Sequence, residues 1–140
     1  EMLKRIGCVA VMWLVLGTAA LADGPEREAA AIASARAWLS LVDEGKYAQS
    51  WKDASGYFRQ AVSQEQWEQA ARSVRTPLGG LVSREVKNAS YTTTLPGAPD
   101  GQYVVILFNT SFENKKSAIE TVTPMMDKDG TWRVSGYFIK

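Results

Sequence analysis

The spacing of the apolar residues changes at Pro77 and Gly79-Gly80, and this change constrains the fold more than any other feature of the sequence. Before it, apolar residues recur every three or four positions, the period of a helix packed on one side. After it, they recur every second position, the period of a strand buried on one face. Helices thus come first and strands after. This order predicts an α+β domain in which N-terminal helices pack on one face of a curved four-stranded antiparallel β-meander.

In the first half, Gly24-Pro25-Glu26 sets a proline at the first helical position and an acid in the first turn. Ile32, Ala35, Trp38, Leu39 and Val42 then recur on one face, and Gly45 ends the helix. A second short helix carries Tyr47, Ala48 and Trp51, followed by an aromatic turn at Tyr57-Phe58. Ser63 and Gln66 have the spacing of a capping box, with Val62 and Trp67 at the two positions of a hydrophobic staple. Trp67, Ala70, Ala71 and Val74 supply the buried stripe of this third helix, and Pro77 with Gly79-Gly80 ends it. Trp38, Trp51, Trp67 and the later Trp132 all fall on such stripes, which reads as core rather than as a platform for sugars or bases.

In the second half, strands are expected over residues 81–95, 102–113, 117–126 and 132–139, separated by turn-forming clusters. Asp127-Lys128-Asp129-Gly130 resembles the opening of a calcium loop but lacks the closing glutamate, so it reads as a hairpin turn. Setting Phe112 opposite Ser117 and Met126 opposite Thr131 assigns the faces. Val104, Ile106, Phe108, Phe112, Ile119, Met125, Trp132, Val134 and Phe138 then meet the helices. The other face gathers Tyr103, Val105, Leu107, Val122, Pro124, Tyr137 and Ile139, mixed with Asn109, Glu120, Arg133 and Ser135.

That second face is more apolar than a solvated sheet face needs to be. Either the middle strands carry apolar residues on both sides, or the face is a surface for a protein partner, a contact with a second copy in a homodimer, or the wall of a cleft. The same register sets Glu120 directly opposite Tyr137 with Arg133 further along the face, the best arrangement for an enzyme that works without histidine. The plain alternative is that Glu120 and Arg133 are solvated sheet charges and Tyr137 an amphipathic cover.

The N-terminus bears on location. Lys4 and Arg5 form a positive start, Ile6 to Leu16 an apolar run, and Ala20-Leu21-Ala22 a small-x-small ending, the three parts of a secretory signal peptide. Residues 1–22 are read as that signal and residues 23–140 as a single domain, periplasmic or secreted. The alternative is an uncleaved anchor holding the chain to the inner membrane through residues 6–22; a membrane is a partner only in that case.

Composition removes whole classes of chemistry. The sequence has no histidine, and its single cysteine, Cys8, lies in the signal. The domain therefore lacks the imidazole and thiol that most often serve as general base, soft metal ligand or nucleophile. Lys4, Arg5 and Glu1 also leave with the signal, after which acidic and basic residues balance. No basic stripe argues for nucleic acid. Gly79-Gly80 follows a helix and lacks the lysine and hydroxyl of a phosphate loop. No metal site and no cofactor are expected.

The runs Ala37 to Gly45, Tyr47 to Trp51, Arg75-Thr76-Pro77-Leu78-Gly79, Leu95 to Gly101 and Asp129 to Tyr137 are similar to those of the domain-of-unknown-function 4019 family. The resemblance covers nearly all of the domain and implies a bacterial exported protein, with no activity or catalytic residues to carry over. The order of helices and curved sheet also resembles nuclear-transport-factor-2-like and cystatin-like domains, an analogy of fold alone. The expected function is a non-catalytic periplasmic binding or accessory module that presents the open sheet face. The alternatives are a small apolar ligand held between helices and sheet, and an enzyme using Glu120 and Tyr137.

Overall fold

A computed structural model describes residues 24–140; the expected signal, with Cys8, lies outside the described residues. Helix α1 (Gly24–Asp43) buries Ala31, Ala35, Trp38, Leu39 and Val42 along one stripe. It stops where Gly45 takes a positive φ of 75°, a conformation favoured by glycine because it has no Cβ. Helix α2 spans Tyr47–Asp53. The expected aromatic turn is instead a short helix, α3 (Gly56–Ala61), because the Ser55 side chain caps it by accepting the Phe58 N–H. Phe58 is thereby driven edge-on against Trp38 and Trp67.

Helix α4 (Gln64–Leu78) begins with the expected capping box. Gln66 N–H donates to Ser63 Oγ at 3.1 Å, and Ser63 N–H to Gln66 Oε1 at 3.0 Å. Pro77 sits inside its last turn, and the chain leaves through Gly79. There a Cβ would press on Glu113 and Asn114 at 3.1 Å.

The sheet is a meander of β1 (Leu81–Thr92), β2 (Tyr103–Phe112), β3 (Lys115–Met126) and β4 (Trp132–Ile139), antiparallel in the order β1-β2-β3-β4. Register shifts interrupt all three pairings, and such bulges bend and twist a sheet. Asp127 N–H to Thr131 O and Gly130 N–H to Asp127 O close the hairpin between β3 and β4.

The register corrects the expected faces. Phe112 pairs with Lys115, not Ser117, because the β2–β3 turn is only Glu113-Asn114. That two-residue slip alone would keep the faces, but the register shift between Thr110 and Phe112 inverts β3: Ala118, Glu120, Val122 and Pro124 are its buried residues, while Ile119 and Met125 lie opposite Asn109 and Tyr103 on the outer face. In β4, Trp132 and Val134 meet the helices as expected. A shift between Thr123 and Pro124 leaves Ser135 unpaired and reverses the strand beyond it. Tyr137 and Ile139 therefore face the helices, and Phe138 points outward, 60% exposed.

The core lies between the helices and Val104, Ile106, Phe108, Val122 and Val134. Its centre is an aromatic group. Trp38, Trp67 and Tyr137 lie within ring-centroid distances of 5.3–6.3 Å. Ser50, fully buried, accepts both indole N–H groups, Trp38 Nε1 on its carbonyl and Trp67 Nε1 on its hydroxyl, each at 2.8 Å. No helix among the described residues is long and apolar enough to cross a membrane.

Candidate functional site

Glu120 and Tyr137 do come together, though not as the expected register had it. Tyr137 pairs with Val122 and Glu120 with Ile139, so the two are diagonal neighbours on the helix side of the sheet. The Tyr137 hydroxyl donates a short hydrogen bond to Glu120 Oε2. Thr110 Oγ1 donates to Oε1 at 2.6 Å. Arg84 grips both oxygens, Nε to Oε1 at 2.7 Å and a terminal nitrogen to Oε2 at 3.1 Å.

The other side of the Arg84 guanidinium binds Asp43 at 2.7 and 3.0 Å, and Arg75 reaches the same carboxylate at 2.7 Å. Two acids and two arginines thus balance in a buried network. It takes one side chain from every strand (Arg84, Thr110, Glu120, Tyr137) and one each from α1 and α4 (Asp43, Arg75). Arg75 is 5% exposed and stacks its guanidinium over the Phe112 ring, centroid distance 4.8 Å.

The electrostatics follow from this geometry. Burial alone would raise the Asp43 carboxyl, but hydrogen bonds from Arg84 and Arg75 and their charges outweigh it and hold it below the usual range. Burial also tends to lower the Arg84 pKa, yet its two carboxylate partners raise it. Burial, with the charge of Glu120 beside it, pushes the Tyr137 phenol well above the ordinary tyrosine value.

Chemically, the Glu120 carboxylate is saturated: four donors occupy its two oxygens, and it is fully buried. A carboxylate has about four lone-pair sites, so none is left to take a substrate proton in this arrangement. The network ties the strands to α1 and α4. Arg133 has no part in it. It lies on the outer face beside Met125 and clasps Asp129 at 2.7 and 2.8 Å, which with its hydrogen bond holds the Asp129 carboxyl down to about 2.

Asp43, Arg75 and Arg84 were not singled out by the sequence reading. For Arg75 a signal exists: it continues the Trp67, Ala71 stripe at intervals of four, so a charged residue occupies a core-facing helical position. Arg84 carries no comparable mark, since its strand is mostly exposed.

Of the residues expected on the open face, Val105 and Leu107 lie there, half-buried. Tyr103 lies there too but is covered, its hydroxyl donating to Pro99 O in the loop that curls beneath it. Val122, Pro124, Tyr137 and Ile139 are on the helix side. The open face is instead built of Val105, Leu107, Ile119, Thr121 and Phe138, with Asn88, Ser90 and Asn109 around them. A directly paired row, Asn88, Leu107, Thr121 and Phe138, crosses all four strands. At the β4 edge, Trp67, Ala70, Ala71, Val74, Tyr137, Phe138 and Ile139 line an apolar groove of about 250 Å³ between α4 and β4. Among the described residues no acidic group converges into a cluster able to hold a metal ion.

Comparison with curated proteins and with solved structures finds no match. Residues 34–137 match the family described as "Protein of unknown function (DUF4019)". That stretch runs from the middle of α1 to Tyr137 and contains every member of the buried network. The chain belongs to the DUF4019 family.

Proposed function

We propose that this protein is a non-catalytic binding or accessory module, exported to the periplasm or beyond, that presents its outer sheet face to a protein partner. The observation that carries this reading is the row of Leu107, Thr121 and Phe138 flanked by Val105 and Ile119. The helices of the core pack on the opposite face, and the loop after β1 covers only the end at Tyr103. A contiguous apolar patch left uncovered is the usual mark of an interaction surface. The closed state of the Glu120 network supports binding over catalysis at that site, and the N-terminal charge and apolar pattern supports export.

The test is a photo-crosslinker at Thr121 in the native host, with Leu107→Glu as the control. The expected result is a discrete protein adduct that Leu107→Glu abolishes while the circular dichroism of the fold is retained. Absence of any adduct, or an adduct indifferent to Leu107→Glu, overturns it. The groove between α4 and β4 favours a second reading, a small apolar ligand, which native mass spectrometry detects as added mass displaced by Ala70→Trp.

A further inference from the structure

We infer that the open half of β4 pairs antiparallel with the same strand of a second copy, centred on Phe138. This goes beyond the outer-face reading and does not depend on it. The first half of this edge strand is closed: Ser34 Oγ donates to Trp132 O at 2.7 Å and Ser55 N–H to Val134 O at 2.9 Å. The bulge at Ser135 follows. Caps and bulges are how proteins blunt a sheet edge, and here the protection ends at that point.

The phase of the ladder shows what is left open. Lys140 and Ile119 exchange both backbone hydrogen bonds, at 2.9 and 3.0 Å. In an antiparallel pair every second residue makes such an exchange and the residues between point their N–H and C=O the other way. Gly136, Phe138 and Lys140 therefore face β3, while Tyr137 and Ile139 aim their backbone groups at the open edge. Among the described residues no backbone or side-chain group meets them.

An antiparallel strand would satisfy these groups, and β4 itself fits. Pairing Tyr137 with Ile139 of the second copy, and Ile139 with its Tyr137, makes four backbone hydrogen bonds around a two-fold axis. The residue on the axis is Phe138, 60% exposed and the most exposed aromatic side chain among the described residues. It falls in the non-hydrogen-bonded position, where side chains approach most closely, with Cα atoms about 4.5 Å apart. Lys140 of each copy falls opposite Gly136 of the other, so like charges do not meet and the long side chain lies over a position without one. The Leu107, Thr121, Phe138 row then continues across both copies. β1, the other edge, offers no such match: it carries Arg84, Glu85 and Lys87 and two register shifts.

Four hydrogen bonds and one aromatic pair predict a weak, concentration-dependent dimer. Sedimentation velocity on the full chain as its host processes it, across a wide concentration range, reads the association. The expected result is a monomer–dimer equilibrium that Phe138→Asp shifts at least tenfold toward monomer. Mixing Phe138→Asp with Phe138→Lys should restore the dimer, and Phe138→Cys in a Cys8→Ser background should give a 138–138 disulfide on mild oxidation. A monomer at every concentration overturns the inference. So does a dimer that survives Phe138→Asp but is lost with Leu107→Glu, which would assign self-association to the sheet face instead.

Discussion

Arg84 reaches from the edge strand β1 past Thr110 to hold Glu120 on β3, with Nε 2.7 Å from Oε1, while its other nitrogens hold Asp43 at the end of α1. One guanidinium, 7% exposed as a side chain, thereby joins the sheet to the first helix. Removing either member leaves an uncompensated charge in a site that water barely reaches.

Arg84→Met and Glu120→Gln should therefore each destabilise the fold by about 3–5 kcal/mol, the range for breaking a buried ion pair from one side. Removing both partners should cost less than the sum of the two single changes, since neither is then left alone. Urea unfolding at neutral pH measures all three. Additive losses would show that the pair is not coupled.

Acid should unfold the protein through Asp43. Its pKa is lowered in the folded state, so its contribution is fully present above the ordinary carboxylate value of 3.8 and is lost as pH falls through the folded value. Asp43→Asn should flatten the stability curve below about pH 4 while lowering stability at neutral pH. Denaturant midpoints followed across the acid range give the slope.

The alkaline limb should belong to Tyr137. Its phenol is pushed up by burial and by Glu120. The stabilisation is thus complete below the ordinary tyrosine value near 10 and drains away as pH rises above it. Tyr137→Phe should reduce the alkaline slope and remove one late-ionising phenol from an ultraviolet titration. An unchanged slope would mean that Glu120 does not keep the proton in place.

Ser50→Ala should strand the Trp67 indole N–H, which donates to the Ser50 hydroxyl at 2.8 Å, and leave the Trp38 bond to the Ser50 carbonyl intact. An unsatisfied buried donor costs about 1–3 kcal/mol. Thermal unfolding followed by tryptophan fluorescence reports both the loss and the altered environment of Trp67.

Much of this architecture was legible residue by residue. The stripe of α1, the Ser63–Gln66 box, the break at Gly79 and the four strands all follow from spacing and capping chemistry. The short helix α3 was not legible as a helix, because six residues carry too little periodicity and its stability comes from the Ser55 cap and from Phe58 in the aromatic centre. The Glu120–Tyr137 pair was legible as a pair. Its surroundings were not, since Arg84 lies 36 residues from Glu120 along the chain, and Asp43 lies 41 from Arg84 and 32 from Arg75, so the network joins only when the sheet closes over α1 and α4.

The amino-acid sequence by itself determined the local elements and their order, because capping, helical stripes and strand alternation depend on neighbours a few positions away. Only the tertiary structure decided which side of β3 and β4 faces the helices. Strand alternation has a period of two and no absolute phase, so a register shift between Thr110 and Phe112 and an unpaired Ser135 are enough to exchange the faces. That exchange carries Glu120 from an open surface into a closed ionic network, and Phe138 from the expected core to an exposed edge.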